Sequence, residues 1–324
     1  MNPSKVLVLV EATPLVRTIR RALFAAGCET KRIPMDVDAL GQELDEGYDI
    51  YIVDGDAPAE RVDPVLELLR ARVDPARLLL LSQHLDERIG KQIVEGAADN
   101  TLAKGGSYAV VREGVDEAEL IATCRKILTG RIFGIRRCLR HGMVPIHKER
   151  IGRAKERHGA LETLQDYLDN LDLPRSLRSS ILTVADELIM NAIFNAPACD
   201  DGTPKYRNRP RSEDIQLETD EEVELRFCCD GQYLYLAVED PFGTLDRDTI
   251  VRYIGSGLMR QRGQMEEKEQ GAGLGLFMVF SSINQLVFNV QRKKRSEIIA
   301  GFYVRDGLRG FREAGQSLNF FFTG

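Results

Sequence analysis

The chain has 324 residues, 43% of them hydrophobic and 29% charged, with a formal net charge of -6. That length suggests about two domains, the mildly acidic balance argues against a dedicated nucleic-acid binder, and no apolar run approaches the roughly 18 residues of a membrane span. The opening MNPSKVLVLVEATP is too short in its apolar part for a signal peptide, and the six cysteines form no C-x-x-C pair, so they read as reduced thiols of a cytosolic protein.

The first ~130 residues alternate short apolar runs with helical periodicity. Strands are expected at 5–10, 28–33, 49–53, 78–81 and 98–103, and helices at 14–26, 37–44, 62–72, 86–96 and 117–129. Five strands alternating with five helices predict an α/β doubly wound, five-stranded parallel sheet over 1–130, covered on both faces. Residues 131–160 read as a basic connector leading into a helix. Between 131 and 158 nine Lys or Arg face only Glu149 and Glu156, a surplus of seven, which leaves -13 on the remainder. That asymmetry predicts electrostatic docking between domains and makes direct nucleic-acid binding the least favoured role. From 161 to 324 helices come first and strands follow. A long helix at 176–195, a polar loop at 199–219, a hairpin turning at Asp230-Gly231, a short helix at 246–253, a helix at 274–285 and three further strands predict an α+β two-layer sandwich.

In an open parallel sheet, function collects at the carboxyl ends of the strands. Those ends offer Glu11, Asp54, Ser82 and Lys104. Carboxylates can hold Mg²⁺, and a hydroxyl with an ammonium can stabilise phosphoryl oxygens. This constellation resembles the receiver domain of two-component response regulators. The resemblance implies Asp54 as phospho-acceptor, Ser82 and Lys104 as its switch hydroxyl and lysine, and Glu11 with Asp54 as Mg²⁺ ligands. Ala12 stands where the family has its second acid, Gly105 where a proline usually follows the lysine, and Thr101 at the aromatic switch position. The alternative is a docking module with a residual Asp.

Three motifs follow in order: DELIMNAIFNA at 186–196, VEDPFGTLD at 238–246 and GAGLGLF at 271–277. Glu187, Asn191 and Asn195 stand four apart, on one helical face, opposite the apolar side. The glycine loop opens a helix, whose backbone N–H groups can receive phosphates. No G-K-[ST] follows, so it is not a Walker loop. Together the three resemble the N, G1 and G2 boxes of the GHKL (histidine-kinase-like) ATPases. That resemblance implies ATP and Mg²⁺ as cofactors. Asn191 would hold Mg²⁺, Asn195 would lie near the phosphates, and Asp240 would accept from the adenine amino group. Gly243 would admit the base, and Gly271, Gly273, Leu274 and Gly275 would line the triphosphate. Glu187 would be the general base, and 255–270 the lid. Phe242 replaces the first box glycine.

The segment GLGLFMVFSSINQLVFNV resembles the anti-sigma-factor serine kinases within that superfamily. The expectation is a cytosolic signalling protein in which a receiver-like input controls a kinase-type module that phosphorylates Ser or Thr of a partner. Its partners would be an upstream phosphoryl donor and a sigma-factor or antagonist-like protein, with a homodimer possible. Alternatives are a non-catalytic ATP-dependent partner switch, or a histidine-kinase-like enzyme using His147 or His158; both histidines read better as surface residues.

Overall fold

The computed structural model describes residues 3–83, 85, 87–96, 98–103, 115–140, 143–199, 202–260 and 272–324. The chain divides into two units, Met1–Ile132 with Glu313–Phe321, and Phe133–Arg312 with Phe322–Gly324.

In the first unit, β1 (Ser4–Leu9), β2 (Cys28–Arg32), β3 (Ile50–Asp54), β4 (Leu78–Ser82) and β5 (Asn100–Ala103) run parallel in the order β2-β1-β3-β4-β5. They alternate with α1 (Thr13–Ala25), α2 (Val37–Glu43), α3 (Ala59–Arg72), α4 (Glu87–Val94) and α5 (Glu117–Thr129). Local chemistry sets the helix ends. Pro14 stands in the first turn of α1, where its missing N–H costs nothing. Asp116 caps α5 by accepting from the amides of Ala118 and Glu119, and Gly130 ends it at φ +63°. Val6, Val8 and Val10 belong to a core cluster with Leu15, Ile19 and Leu23 of α1 and with Leu120 and Cys124 of α5. The intervening Leu7 and Leu9 are also fully buried. Burial on both faces explains why these strands read as unbroken apolar runs.

The second unit carries β6 (His147–Ile151), β7 (Val223–Cys229), β8 (Tyr233–Asp240), β9 (Gln285–Gln291) and β10 (Arg295–Tyr303), antiparallel in the order β9-β10-β8-β7-β6. The β7–β8 hairpin turns at Gly231, φ +88°, where Asp230 accepts from the amides of Gln232 and Tyr233. Five helices accompany these strands: α6 (Arg157–Asp169), α7 (Arg175–Phe194), α8 (Arg247–Arg260), α9 (Ala272–Ser281) and α10 (Gly307–Glu313). α7 packs on β7 and β8, α6 on β6, and α9 against both α7 and α8. On α7, Leu188, Ile189, Ala192 and Ile193 are buried, which leaves Glu187, Asn191 and the C-cap Asn195 in a row on the other face.

Three expectations are corrected. The first unit's sheet is not a purely parallel, five-stranded one: a sixth strand, β11 (Ser317–Thr323), joins it from the far end of the chain and makes it mixed. β11 runs antiparallel to β5, pairing Leu318 with Thr101 and Asn319 with Asn100. Thr101 Oγ1 donates to the Leu318 carbonyl and accepts from its amide, and Phe320 N donates to the Asp99 carbonyl. Without it, β5 would offer a row of unpaired backbone groups; strand periodicity read locally names no partner more than two hundred residues away. Next, the basic connector that leads into α6 also holds a strand the sequence reading did not include, because His147–Ile151 forms β6 against β7. Five of its basic residues pair inside the second unit. Lys148 and Arg150 approach Glu224, Arg153 and Lys155 meet Asp214, and Arg157 meets Asp186 at 3.0 Å. Finally, the helix expected at 246–253 continues to Arg260. Among the described residues, no helix is long and apolar enough to cross a membrane.

Candidate functional site

At the strand ends of the first unit, the predicted residues pair differently from the expected cluster. Glu11 binds Arg61 of α3 in a bidentate ion pair, one arm at 3.0 Å. Asp54 Oδ1 accepts from the amide of Asp56 at 3.1 Å. Ser82 Oγ donates to Asp56 Oδ1 at 2.8 Å, and Gln83 N donates to Asp56 Oδ2 at 2.8 Å. Asp56 is therefore a member of this site that sequence reasoning missed, although its place two residues past Asp54 was a usable signal. Between the two acids Gly55 is closely packed, since a Cβ there would press on the Leu81 carbonyl oxygen at 3.0 Å. Lys104 lies outside the described residues. Among the described residues, no group of three or more His, Cys, Asp or Glu could hold a metal ion.

The second unit brings its motifs together. Helical spacing places Glu187, Asn191 and Asn195 one turn apart, and they hydrogen-bond along the row. Asn191 Nδ2 donates to Glu187 Oε1 at 3.1 Å, and Asn195 Nδ2 donates to Asn191 Oδ1 at 2.7 Å. A carboxylate and two amides thus form one oriented chain. Arg211, from the polar loop after α7, closes its carboxylate end. The guanidinium donates to Glu187 Oε2 at 2.8 Å, to Glu187 Oε1 at 3.3 Å and to Asn191 Oδ1 at 3.4 Å. Arg211 goes unmarked in the sequence, because a loop arginine has no periodicity to single it out.

Asp240 ends β8 and is 4% exposed. Burial pushes its carboxyl up to about 7, partly offset by the amides of Phe242 and Gly243 that donate to it. A buried acid with its carboxyl pushed up in this way, set in a cavity wall, is a candidate recognition group. It lines a cavity of about 240 Å³ whose wall also holds Asn191, Asn195, Thr249 and the apolar Leu188, Val238 and Ile298. Apolar walls around a few convergent polar groups are the usual make-up of a small-molecule site.

Gly243 and Gly275 take roles fixed by close approach. Gly243 sits at φ +63°, and a Cβ there would come within 2.8 Å of Lys294 N and 2.9 Å of Arg295 N. The glycine thus lets the β8 exit lie against the β9–β10 turn, where its carbonyl accepts from Lys293 N at 3.2 Å. A Cβ on Gly275 would run into the Glu187 carboxylate, approaching Cδ at 2.6 Å. The glycine segment of α9 and the polar row of α7 are therefore in direct apposition. Gly273 and Leu274 stand in the first turn of α9, while Gly271 and the expected lid residues 261–270 lie outside the described residues.

The two histidines considered as phospho-acceptors are otherwise engaged. His147 stacks on Phe227 with ring planes 4° apart, and His158 Nδ1 lies 3.1 Å from the Lys155 carbonyl.

No protein-family model matches the chain. A search of curated proteins finds no match either.

Proposed function

We propose that this protein is a cytosolic signalling protein whose second unit binds ATP with Mg²⁺ and transfers the γ-phosphoryl group to a Ser or Thr hydroxyl of a partner protein, under control of the first unit. One observation carries the reading: Asn191 and Asn195 of the polar row and the buried Asp240 line a single cavity, with Glu187 bonded to Asn191. Asp240, with apolar walls beside it, suits an adenine ring that offers an amino group. Asn191 suits Mg²⁺ and Asn195 suits the phosphates. Glu187, at the far end of the row, suits the group that polarises the attacking hydroxyl. Such transfer needs positioning and charge stabilisation more than covalent chemistry. The ATP turnover of wild type and Glu187→Gln, measured beside their ATP affinity, tests this. Retained binding with turnover lowered at least ~100-fold is the expected result. Equal turnover would remove Glu187 from the reaction, and binding without turnover in both would leave an ATP-dependent partner switch.

For the first unit we propose an input role through Asp54. Incubation with a small phosphoryl donor and Mg²⁺ should give an adduct by intact mass that Asp54→Asn does not form. Absence of the adduct would reduce this unit to a docking module, a reading favoured by Glu11 being held by Arg61 and Ser82 by Asp56.

A further inference from the structure

We infer that Arg211 reads the terminal phosphoryl group of a bound nucleoside triphosphate, and so sets preference for triphosphate over diphosphate. The inference rests on the nucleotide reading above. Its guanidinium bonds at once to Glu187 and Asn191. In that reading Glu187 faces the attacking hydroxyl and Asn191 the Mg²⁺, so a guanidinium bonded to both stands beside the place of the terminal phosphoryl group.

The loop that carries Arg211 is braced on both sides. Lys205 Nζ pairs with Glu221 Oε1 at 2.7 Å, and Asp214 accepts from Arg153 Nη2 at 2.9 Å and from Lys155 N at 3.2 Å. Arg207, four residues earlier in the same braced loop, lines the cavity itself. The loop thus brings two cations, Arg207 and Arg211, beside the acids and amides of the site. A triphosphate carries several negative charges, and planar guanidinium matches phosphoryl oxygens with two parallel donors.

The Glu187–Arg211 pair is unequal in exposure, 13% against 46% for the side chains. An ion pair with one such exposed partner holds little net energy. A charge-assisted contact to a phosphoryl oxygen is stronger, so the guanidinium gains by turning to it while staying within reach of Glu187.

The test is calorimetric titration of the full chain with AMP, ADP and the β,γ-imido analogue of ATP, each with Mg²⁺, for wild type, Arg211→Gln and Arg211→Lys. Arg211→Gln should bind the triphosphate analogue about 10- to 100-fold more weakly, as expected for one lost charge-assisted bond, with ADP and AMP unchanged. Arg211→Lys should recover part of the loss. Retained ADP binding shows that the variant is folded. Equal weakening toward all three nucleotides would overturn the inference, and so would unchanged or tighter triphosphate binding, which would make the pair merely inhibitory. Failure of the wild type to bind any of the three would instead count against the nucleotide reading, and the inference would fall with it.

Discussion

At the scale of single residues, Asp240 carries the sharpest consequence. Its folded carboxyl titrates near 7, above the ~4 of an unfolded aspartate. The folded state therefore holds the proton more tightly. Between about pH 4 and 7 the contribution of this group to stability falls as pH rises, and above 7 the full cost of a buried charge is present. Asp240→Asn should then raise the melting temperature at pH 8 and change it little at pH 5. The same titration governs recognition. An amino group donates to the ionised carboxylate, so ATP affinity should rise from pH 6 to pH 8 and level off above it. An affinity that is flat or falls over that range would exclude Asp240 as the acceptor. The acid itself was visible in VEDPFG; its burial was not, because burial depends on the elements that cover it.

Among the elements, α7 and α9 were legible for a physical reason: a 3.6-residue period puts Glu187, Asn191 and Asn195 in register, and glycines before an apolar run announce a helix start. What could not be read was how closely they pack. Gly275 presses on a side-chain carboxylate, whereas Gly243 presses on backbone. The two alanine variants should therefore differ. Gly275→Ala should keep its melting temperature within a few degrees yet lose turnover, because the Glu187 side chain can swing aside. Gly243→Ala combines positive φ with backbone overlap and should cost about 1–3 kcal/mol in denaturant unfolding. Equal stability losses would mean that α9 does not lie on Glu187. The strand β6 escaped detection because His147-Lys-Glu-Arg-Ile offers one buried residue, Ile151, and no apolar alternation.

For the whole molecule, the individual strands of the first unit follow the expected pattern, but the sheet they build does not end at β5. The last strand, SLNFFFT, reads plainly as β, yet nothing local says which edge it joins. Its Leu318 and Phe320 are each 1% exposed, and Lys126 Nζ stands 4.8 Å above the Phe321 ring. Phe320→Ala should cost about 3–5 kcal/mol, as core truncations do, and should lower amide-exchange protection in β5. Loss of protection confined to residues beyond 281, with β5 unaffected, would contradict the pairing. The claim on which the rest depends is that the second unit holds a nucleotide between α7 and Asp240. Calorimetric titration of Mg²⁺–ATP at pH 8 into wild type, Asn191→Ala and Asp240→Asn tests it most directly. One site per chain in the wild type and none in either variant is the predicted result; no binding by the wild type, or unchanged affinity in both variants, would contradict it.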